Sequence, residues 1–409
     1  MSKSTSKEVK YGYNGHRVEI KPNRTMKKYL DKCIGYRRRC WNRILAQYNF
    51  EKQTNPDVKI NKDLIARLKQ NDGLQADWEN EMPAFIWSEC QNTLVSTLCR
   101  FGKANFKGKN CKQSFTMDYQ RIRHKNKGYF IRRGKHQYFQ FTMGEKCGIA
   151  DKLRWIKLTE DVKYFPEIGD VLCDVAITKE AGRYYASFNI AIGQPRIPTK
   201  ATTKVGIDPG IHSLMTLSDG TKYNFDSSTK NKLARLDKKV RFYDRMMGKK
   251  RSLNKNWKRS KRYKKIKAKR ARVCQKIKNI RKDAIQKMTT EIVSNNKYIY
   301  WEDVKSKNMV KNHKLAKAIY GVCWGKIKTL LITKCHMHNA KFYKVPTNEA
   351  STQKCSKCGY RRTGVDKLNL NDRIFVCPIC GHTEDRDVNA AKNISTSKAA
   401  VLVEAQPSK

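Results

Sequence analysis

The chain has 409 residues, enough for two or three domains, and carries 88 Lys and Arg against 36 Asp and Glu for a net charge of +52. Self-repulsion on that scale calls for an acidic partner, and nucleic acid fits best because neutralising its phosphates releases counterions. There is no run of about 18 apolar residues and the first ten residues are polar, so no membrane partner and no signal peptide are expected.

Residues 1–10 are expected to be disordered. Val18 to Ile20 alternate apolar and charged residues, as an edge strand would. From Thr25 the spacing turns helical: Tyr29, Cys33, Tyr36, Cys40, Trp41 and Leu45 share one face, with Arg37, Arg38, Arg39 and Arg43 among them. A second helix is expected from Asn61, carrying Leu64, Ile65 and Leu68. A third follows Pro83, with Phe85, Ile86, Cys90, Leu94 and Leu98 on one face. Residues 26–105 therefore read as a small helical bundle whose arginines are either solvated or in contact with phosphate.

From 106 to 200 short β-prone runs recur: Tyr129 to Ile131, Tyr138 to Phe141, Trp155 to Leu158, Val171 to Thr178 and Tyr184 to Ile192. That spacing predicts a small barrel or sandwich, its aromatics mostly core and otherwise free to stack on bases. Gln194 to Pro198 reads as a linker. Val205 to Ile207 then forms a buried strand that Pro209-Gly210 ends, placing Asp208 at its mouth. A partner strand is expected at His212 to Leu217, a turn at Asp219-Gly220 and a third strand at Tyr223 to Phe225, the way an RNase H-like fold begins.

Residues 230–287 hold 26 Lys or Arg against 3 Asp, with Leu233, Leu236, Val240, Ile266, Val273, Ile277 and Ile280 at helical spacing. One or two long helices follow, broken near Gly248 to Asn256. Unpaired cations four residues apart destabilise a helix, so Lys261, Arg262, Lys264 and Lys265 are expected to face a polyanion. Another helix is expected over Ile319 to Cys335 and a strand over Lys341 to Val345. Glu302 ends the β-prone run Tyr298 to Trp301, and Asp387 opens a helical segment. Taken singly, each of Asp208, Glu302 and Asp387 reads more readily as a cap or surface charge. Together, on two strand ends and a helix start, they can converge, about ninety residues apart in sequence, into a cluster that a divalent cation would hold, and hard oxygen ligands suit Mg²⁺ or Mn²⁺.

Of the 14 cysteines, Cys355-x₂-Cys358 and Cys377-x₂-Cys380 form a spaced quartet, each pair trailed by a glycine, Gly359 and Gly381. Four thiolates at this spacing hold tetrahedral Zn²⁺ and leave no open position, so the zinc is structural. The remaining cysteines are scattered in apolar or helical stretches and read as reduced, partly buried thiols.

Gly206 to Gly210 with Thr216 to Gly220, Trp301 to Val304, Ser351 to Gly359 and Asp385 to Ala391 occur in the order found in the TnpB family. The chain resembles these transposon-encoded RNA-guided DNA endonucleases, relatives of the compact type V CRISPR effectors. The motifs span residues 204–394; Ala181 to Phe188 also looks like the family's last wedge-domain strand, and before residue 110 only helical, arginine-rich character is shared. The resemblance implies a multidomain α+β protein. A wedge β-barrel (1–25 and 106–200) would be interrupted by a helical recognition bundle (26–105). An RNase H-like RuvC domain (201–349 and 386–409) would carry an inserted zinc ribbon (350–385) that binds target nucleic acid.

It implies that Asp208, Glu302 and Asp387 are catalytic, with Asp208 bridging two Mg²⁺ ions, and that the basic helices at 230–290 contact the guide–target duplex. Arg386 would pair with the scissile phosphate or form a structural salt bridge. The implied partners are a transposon-end guide RNA and a double-stranded DNA target with a short adjacent motif, bound by a monomeric, cytoplasmic, nucleoid-associated prokaryotic protein. Two departures stand out: Tyr300-Trp301 in place of small aliphatics, and Ser351-Thr352 in place of the reverse order. Neither removes a ligand. The alternatives are an RNA-guided repressor, which would be expected to lack one of the carboxylates, a RuvC-like resolvase or transposase, and a compact type V effector.

Overall fold

A computed structural model of the chain describes residues 13–56, 77–108, 111–118, 130–144, 146–160, 171–191, 200–304, 309, 313–349, 351–369 and 371–403. The helix expected from Asn61 and the linker at Gln194 to Pro198 lie outside them. Two compact units divide the chain, at residues 13–192 and 193–409. Among the described residues no helix is long and apolar enough to cross a membrane.

The first unit begins with β1 (Tyr13–Lys21), followed by α1 (Arg24–Thr54) and α2 (Phe85–Phe101). Asn23 caps α1 by accepting the Met26 N–H at 2.9 Å, and Gly102, in the left-handed region at φ 66°, ends α2. The apolar faces predicted for both helices are buried, with Phe85 only partly so. Most of the arginines among them are engaged within the protein. Arg37 grips Glu89 with bonds of 2.6 and 2.7 Å, and Arg39 and Arg43 both pair with the buried Glu79.

β2 (Gln113–Asp118), β3 (Phe130–Arg133), β4 (His136–Gln140), β5 (Trp155–Leu158), β6 (Val171–Glu180) and β7 (Arg183–Ala191) complete a seven-stranded sheet of order β2-β6-β7-β1-β5-β4-β3. All its pairings are antiparallel. β1 is not an edge: it lies between β7 and β5, and its alternation reflects one covered face. β2 was not anticipated, although Phe115 and Met117 alternate inward. Phe115, Phe139, Phe141 and Phe188 are all buried, so these aromatics form core and do not stack on bases. Sheet and helices close over one hydrophobic core.

The second unit is built on β8 (Lys204–Asp208), β9 (Met215–Leu217), β10 (Lys222–Tyr223), β11 (Tyr298–Glu302), β12 (Lys341–Val345) and β15 (Val401–Leu402), in the order β10-β9-β8-β11-β12-β15. β8, β11 and β12 are parallel, and the outer strands run antiparallel to their neighbours. β9 starts three residues later than expected, because His212 and Ser213 still belong to the bend after Pro209-Gly210. β10 likewise stops at Tyr223, short of the Phe225 expected.

Two helices, α3 (Ser227–Leu253) and α4 (Lys261–Asn295), meet across the predicted break and are tied by the Arg270–Asp244 ion pair. Only the end of α4, from Ile285 to Val293, enters the sheet's core; α3 buries only Leu233. The helix expected over Ile319 to Cys335 is two: α5 (His313–Val322) and α6 (Trp324–Met337). Cys323 breaks it at φ 59°, and the Trp324 indole then donates to Gly210 O at 3.2 Å, anchoring the loop after Asp208. On α6 the buried Lys334 donates to Thr289 and Thr290 of α4, and burial pushes its ammonium down to about 8. The hairpin β13 (Ile374–Val376) and β14 (Thr383–Asp385) precedes α7 (Arg386–Ser395).

Candidate active site and zinc ribbon

β8 and β11 pair in parallel with Ile207 opposite Trp301. The next residue on each strand is a carboxylate, so Asp208 and Glu302 leave the sheet side by side at its carboxyl end. That end is where parallel strands present ligand sites. The register depends on regular pairing through Tyr300-Trp301, and the departure there is absorbed: Trp301 turns into the core at 2% exposure, while Tyr300 stacks on Tyr343 at 4.7 Å.

Asp387 arrives from α7. The helix can lie against β8 because residue 206 is glycine. A Cβ there would meet Ala391 O and stand 2.6 Å from Ser395 N, both helix backbone. Asp387, Ala391 and Ser395 recur every four residues, so they share the face turned to β8. Asp385 caps the helix, accepting the N–H groups of Asp387 and Val388 at 3.0 and 3.2 Å, and pairs with Lys222 at 2.6 Å. Gly206→Ala is expected to push α7 off the strand. Any reaction that the three carboxylates carry should then slow by about a hundredfold, the cost of displacing a reacting group by about an ångström. Single-turnover kinetics would check this, and a wild-type rate would contradict it.

The three carboxylates are brought together. Burial first, then the charges of Glu302 and Asp387, hold Asp208 well above the usual carboxylate range, with Arg386 opposing them. Burial also raises Glu302, against the hydrogen bond it shares with Asp208. Such mutual repulsion in a half-buried site is what a divalent cation relieves, and the oxygen donors suit a hard ion, while among the described residues the only group of three or more His, Cys, Asp or Glu ligand atoms within 4.8 Å of one another is that of the cysteine sulfurs. Arg386 leans on Asp387 at 3.3 Å and donates to Asn369 O at 3.2 Å. Of its two expected roles, the structure therefore displays the salt bridge. Lys261, Arg262, Lys264 and Lys265 are exposed at the start of α4, away from the carboxylates along the chain. Asp303, next to Glu302, is taken up by Lys328 and Lys344 at 2.5 and 2.7 Å.

The four cysteine sulfurs lie within 4.8 Å of one another, with Cys355–Cys380 at 3.7 Å and Cys358–Cys377 at 3.5 Å. Tetrahedral ligation at a Zn–S distance of about 2.3 Å requires sulfurs about 3.8 Å apart. The quartet fits zinc. Each knuckle turns on a left-handed glycine, Gly359 at φ 80° and Gly381 at φ 66°, whose N–H returns to the first cysteine's carbonyl at 3.0 Å. Burial raises the Cys377 thiol, but the backbone N–H groups of Cys380 and Ile379, with the Cys358 and Cys380 side chains, together bring the group down to about 6.

Two residues not singled out in the sequence join ribbon to helix. Asn389 accepts the Ser356 N–H at 2.9 Å and donates to Lys354 O at 2.7 Å. Asn393, one turn on, donates to Ser351 O at 2.8 Å and Lys354 O at 2.6 Å. Both are buried. Their spacing of four in an otherwise apolar helix face was the available signal.

The chain is similar to known proteins over much of its length. Residues 187–313 match the family model OrfB_IS605, described as a probable transposase, and residues 324–394 match that of the Cas12f1-like TNB domain. A Streptomyces pristinaespiralis protein named as a candidate RNA-guided DNA endonuclease is 37% identical over 215 residues, covering 52% of this chain and 50% of that protein. The chain thus matches only half the length of that relative. A candidate RNA-guided DNA endonuclease of Escherichia coli K12, InsQ, is 28% identical over 299 residues, 67% of this chain and 69% of the other. Among solved structures, Cas12f1 from a cryo-EM complex with sgRNA and target DNA superposes with a TM-score of 0.58 at 14% identity, covering 92% of this chain and 84% of that one. At that identity the likeness concerns the fold. The likeness is to the insertion-sequence OrfB proteins over residues 187–313 and to the Cas12f1-like proteins over residues 324–394. The resemblance to TnpB read from the motifs is borne out.

Proposed function

We propose that the protein is an RNA-guided DNA endonuclease that hydrolyses phosphodiester bonds at Asp208, Glu302 and Asp387. The observation that carries this is the register of β8 on β11, which sets two carboxylates side by side where α7 delivers a third. In this reading the second unit's sheet is a RuvC-type nuclease core and residues 350–385 are a target-nucleic-acid-binding zinc ribbon. The first unit is the wedge barrel with its helical recognition insertion. The partners are a guide RNA and a DNA duplex, bound by one copy of the chain.

Asp208, Glu302 and Asp387 would together hold Mg²⁺ or Mn²⁺. Such ions supply an activated water and a stabilised leaving oxygen. The chain's own part is to fix the three carboxylates on rigid elements, keep the site half-buried, and hold Asp387 oriented through Arg386. The Cas12f1-like match over residues 324–394 keeps a compact CRISPR effector as the second reading. A repeat array beside the gene would decide for it.

The charged arm supports guide and target binding. Replacing Lys261, Arg262, Lys264 and Lys265 with glutamine is expected to weaken binding to all sequences alike. The dependence of log K on log salt should flatten by up to about 0.9 for each phosphate no longer neutralised. Filter binding at several salt concentrations reads this; an unchanged slope would leave the run as solvated surface. The nuclease assignment itself is tested by the Asp208 substitution argued in the Discussion.

A further inference from the structure

We propose that Asn389 is a positioning residue that makes the placement of Asp387 depend on the zinc knuckle. The inference rests on the nuclease reading above. α7 is a beam with two working faces. Asp387, Ala391 and Ser395 face β8, where Gly206 admits the helix. Asn389 and Asn393 lie about 200° and a further turn round, on the face that meets the ribbon.

What they hold is the knuckle itself. Ser356, whose N–H Asn389 accepts, follows Cys355 directly, and Lys354, whose carbonyl takes both amides, precedes it. The polar ends of Asn389 are thus spent on the backbone flanking a zinc-ligating sulfur. At 0% exposure no water replaces them when the knuckle opens without the helix moving. A second link, Lys392 to Glu384, joins the same helix to β14. The knuckle keeps its shape only while four thiolates share an ion, so metal at the cysteines fixes the helix turn that bears Asp387. Outer hydrogen bonds of this kind typically change metal affinity or activity 10–100-fold.

The test uses full-length, guide-loaded protein and two readouts: Mn²⁺ affinity by electron paramagnetic resonance, and zinc content. Asn389→Leu keeps the branched shape of the side chain, with somewhat more bulk, and removes both bonds. It is expected to retain about one zinc per chain and guided DNA binding, while Mn²⁺ affinity and kcat each fall about tenfold or more. In wild type, chelating the zinc should weaken Mn²⁺ binding by a similar factor; in Asn389→Leu the same treatment should add little, because the link is already cut. If zinc removal and Asn389→Leu act additively on Mn²⁺ affinity, or if the variant binds Mn²⁺ as wild type does, the proposal is overturned. Should Asn389→Leu fold poorly, the wild-type zinc titration decides alone: Mn²⁺ affinity indifferent to zinc overturns the link. Mn²⁺ binding that survives Asp208→Ala unchanged in an otherwise wild-type chain would instead overturn the nuclease reading.

Discussion

Asp208→Ala is expected to reduce guided DNA cleavage on the order of 10⁴-fold or more, the range lost with a catalytic group, with DNA binding retained. The carboxylate stands beside Glu302 and feels the charges of both Glu302 and Asp387. Removing it takes away one of the three ligands of the proposed metal site. Affinity draws on the basic surfaces and on guide pairing, so a gel shift should be unchanged or slightly tighter as one negative charge leaves the path of the phosphates. Glu302→Ala and Asp387→Ala should show the same split. Their neighbours should not. Asp303 is committed to Lys328 and Lys344, and Asp385 to Lys222 and the helix cap. Asp385→Ala should therefore cost about 1 kcal/mol of stability, as a lost cap does, and leave the site its ligands. A wild-type cleavage rate in Asp208→Ala would remove the basis of the nuclease assignment.

Loss of the zinc should be comparably severe. Cys355→Ser or Cys377→Ser breaks a quartet whose core is little more than Cys355, Phe375 and Cys377 with Tyr360, Leu368 and Cys380 packed around them. So small a cluster does not fold on apolar burial alone; in zinc-finger peptides the metal supplies roughly 10–16 kcal/mol. Elemental analysis should fall from about one zinc per chain to none. Limited proteolysis should open residues 350–385, and cleavage should be abolished. Metal-free protein with full activity would contradict a structural role.

Much of the second unit was legible because its signals are local. Val205 to Ile207 stopped by Pro209-Gly210, the β-branched and aromatic run before Glu302, and the paired CxxC motifs each carry their meaning within a few residues. The convergence of the carboxylates was not legible from the residues alone. It depends on strand register and on Gly206, whose missing side chain matters only once α7 lies over it. The broken helix at Cys323 was missed for a similar reason. A left-handed cysteine is sustained by Trp324 reaching Gly210, 114 positions away, although Gly321 and Gly325 flank the break. In the first unit, alternation in β1 marked a half-covered strand correctly but said nothing of its neighbours, since an edge and an interior strand of an antiparallel sheet alternate alike. Arg37, Arg39 and Arg43 show the limit of reading charge: with Glu79 and Glu89 distant in sequence, ion pairs and phosphate contacts look the same.

The central claim, guided cleavage, is tested most directly by reprogramming. The RNA that co-purifies with the chain is sequenced, its variable segment is replaced, and the complex is given Mg²⁺ and two plasmids, each matching one of the two guides. The cut is predicted to move to the plasmid matching the new guide and to vanish from the other. Cutting that ignores the guide, or none on either plasmid with guide and Mg²⁺ present, would contradict the claim.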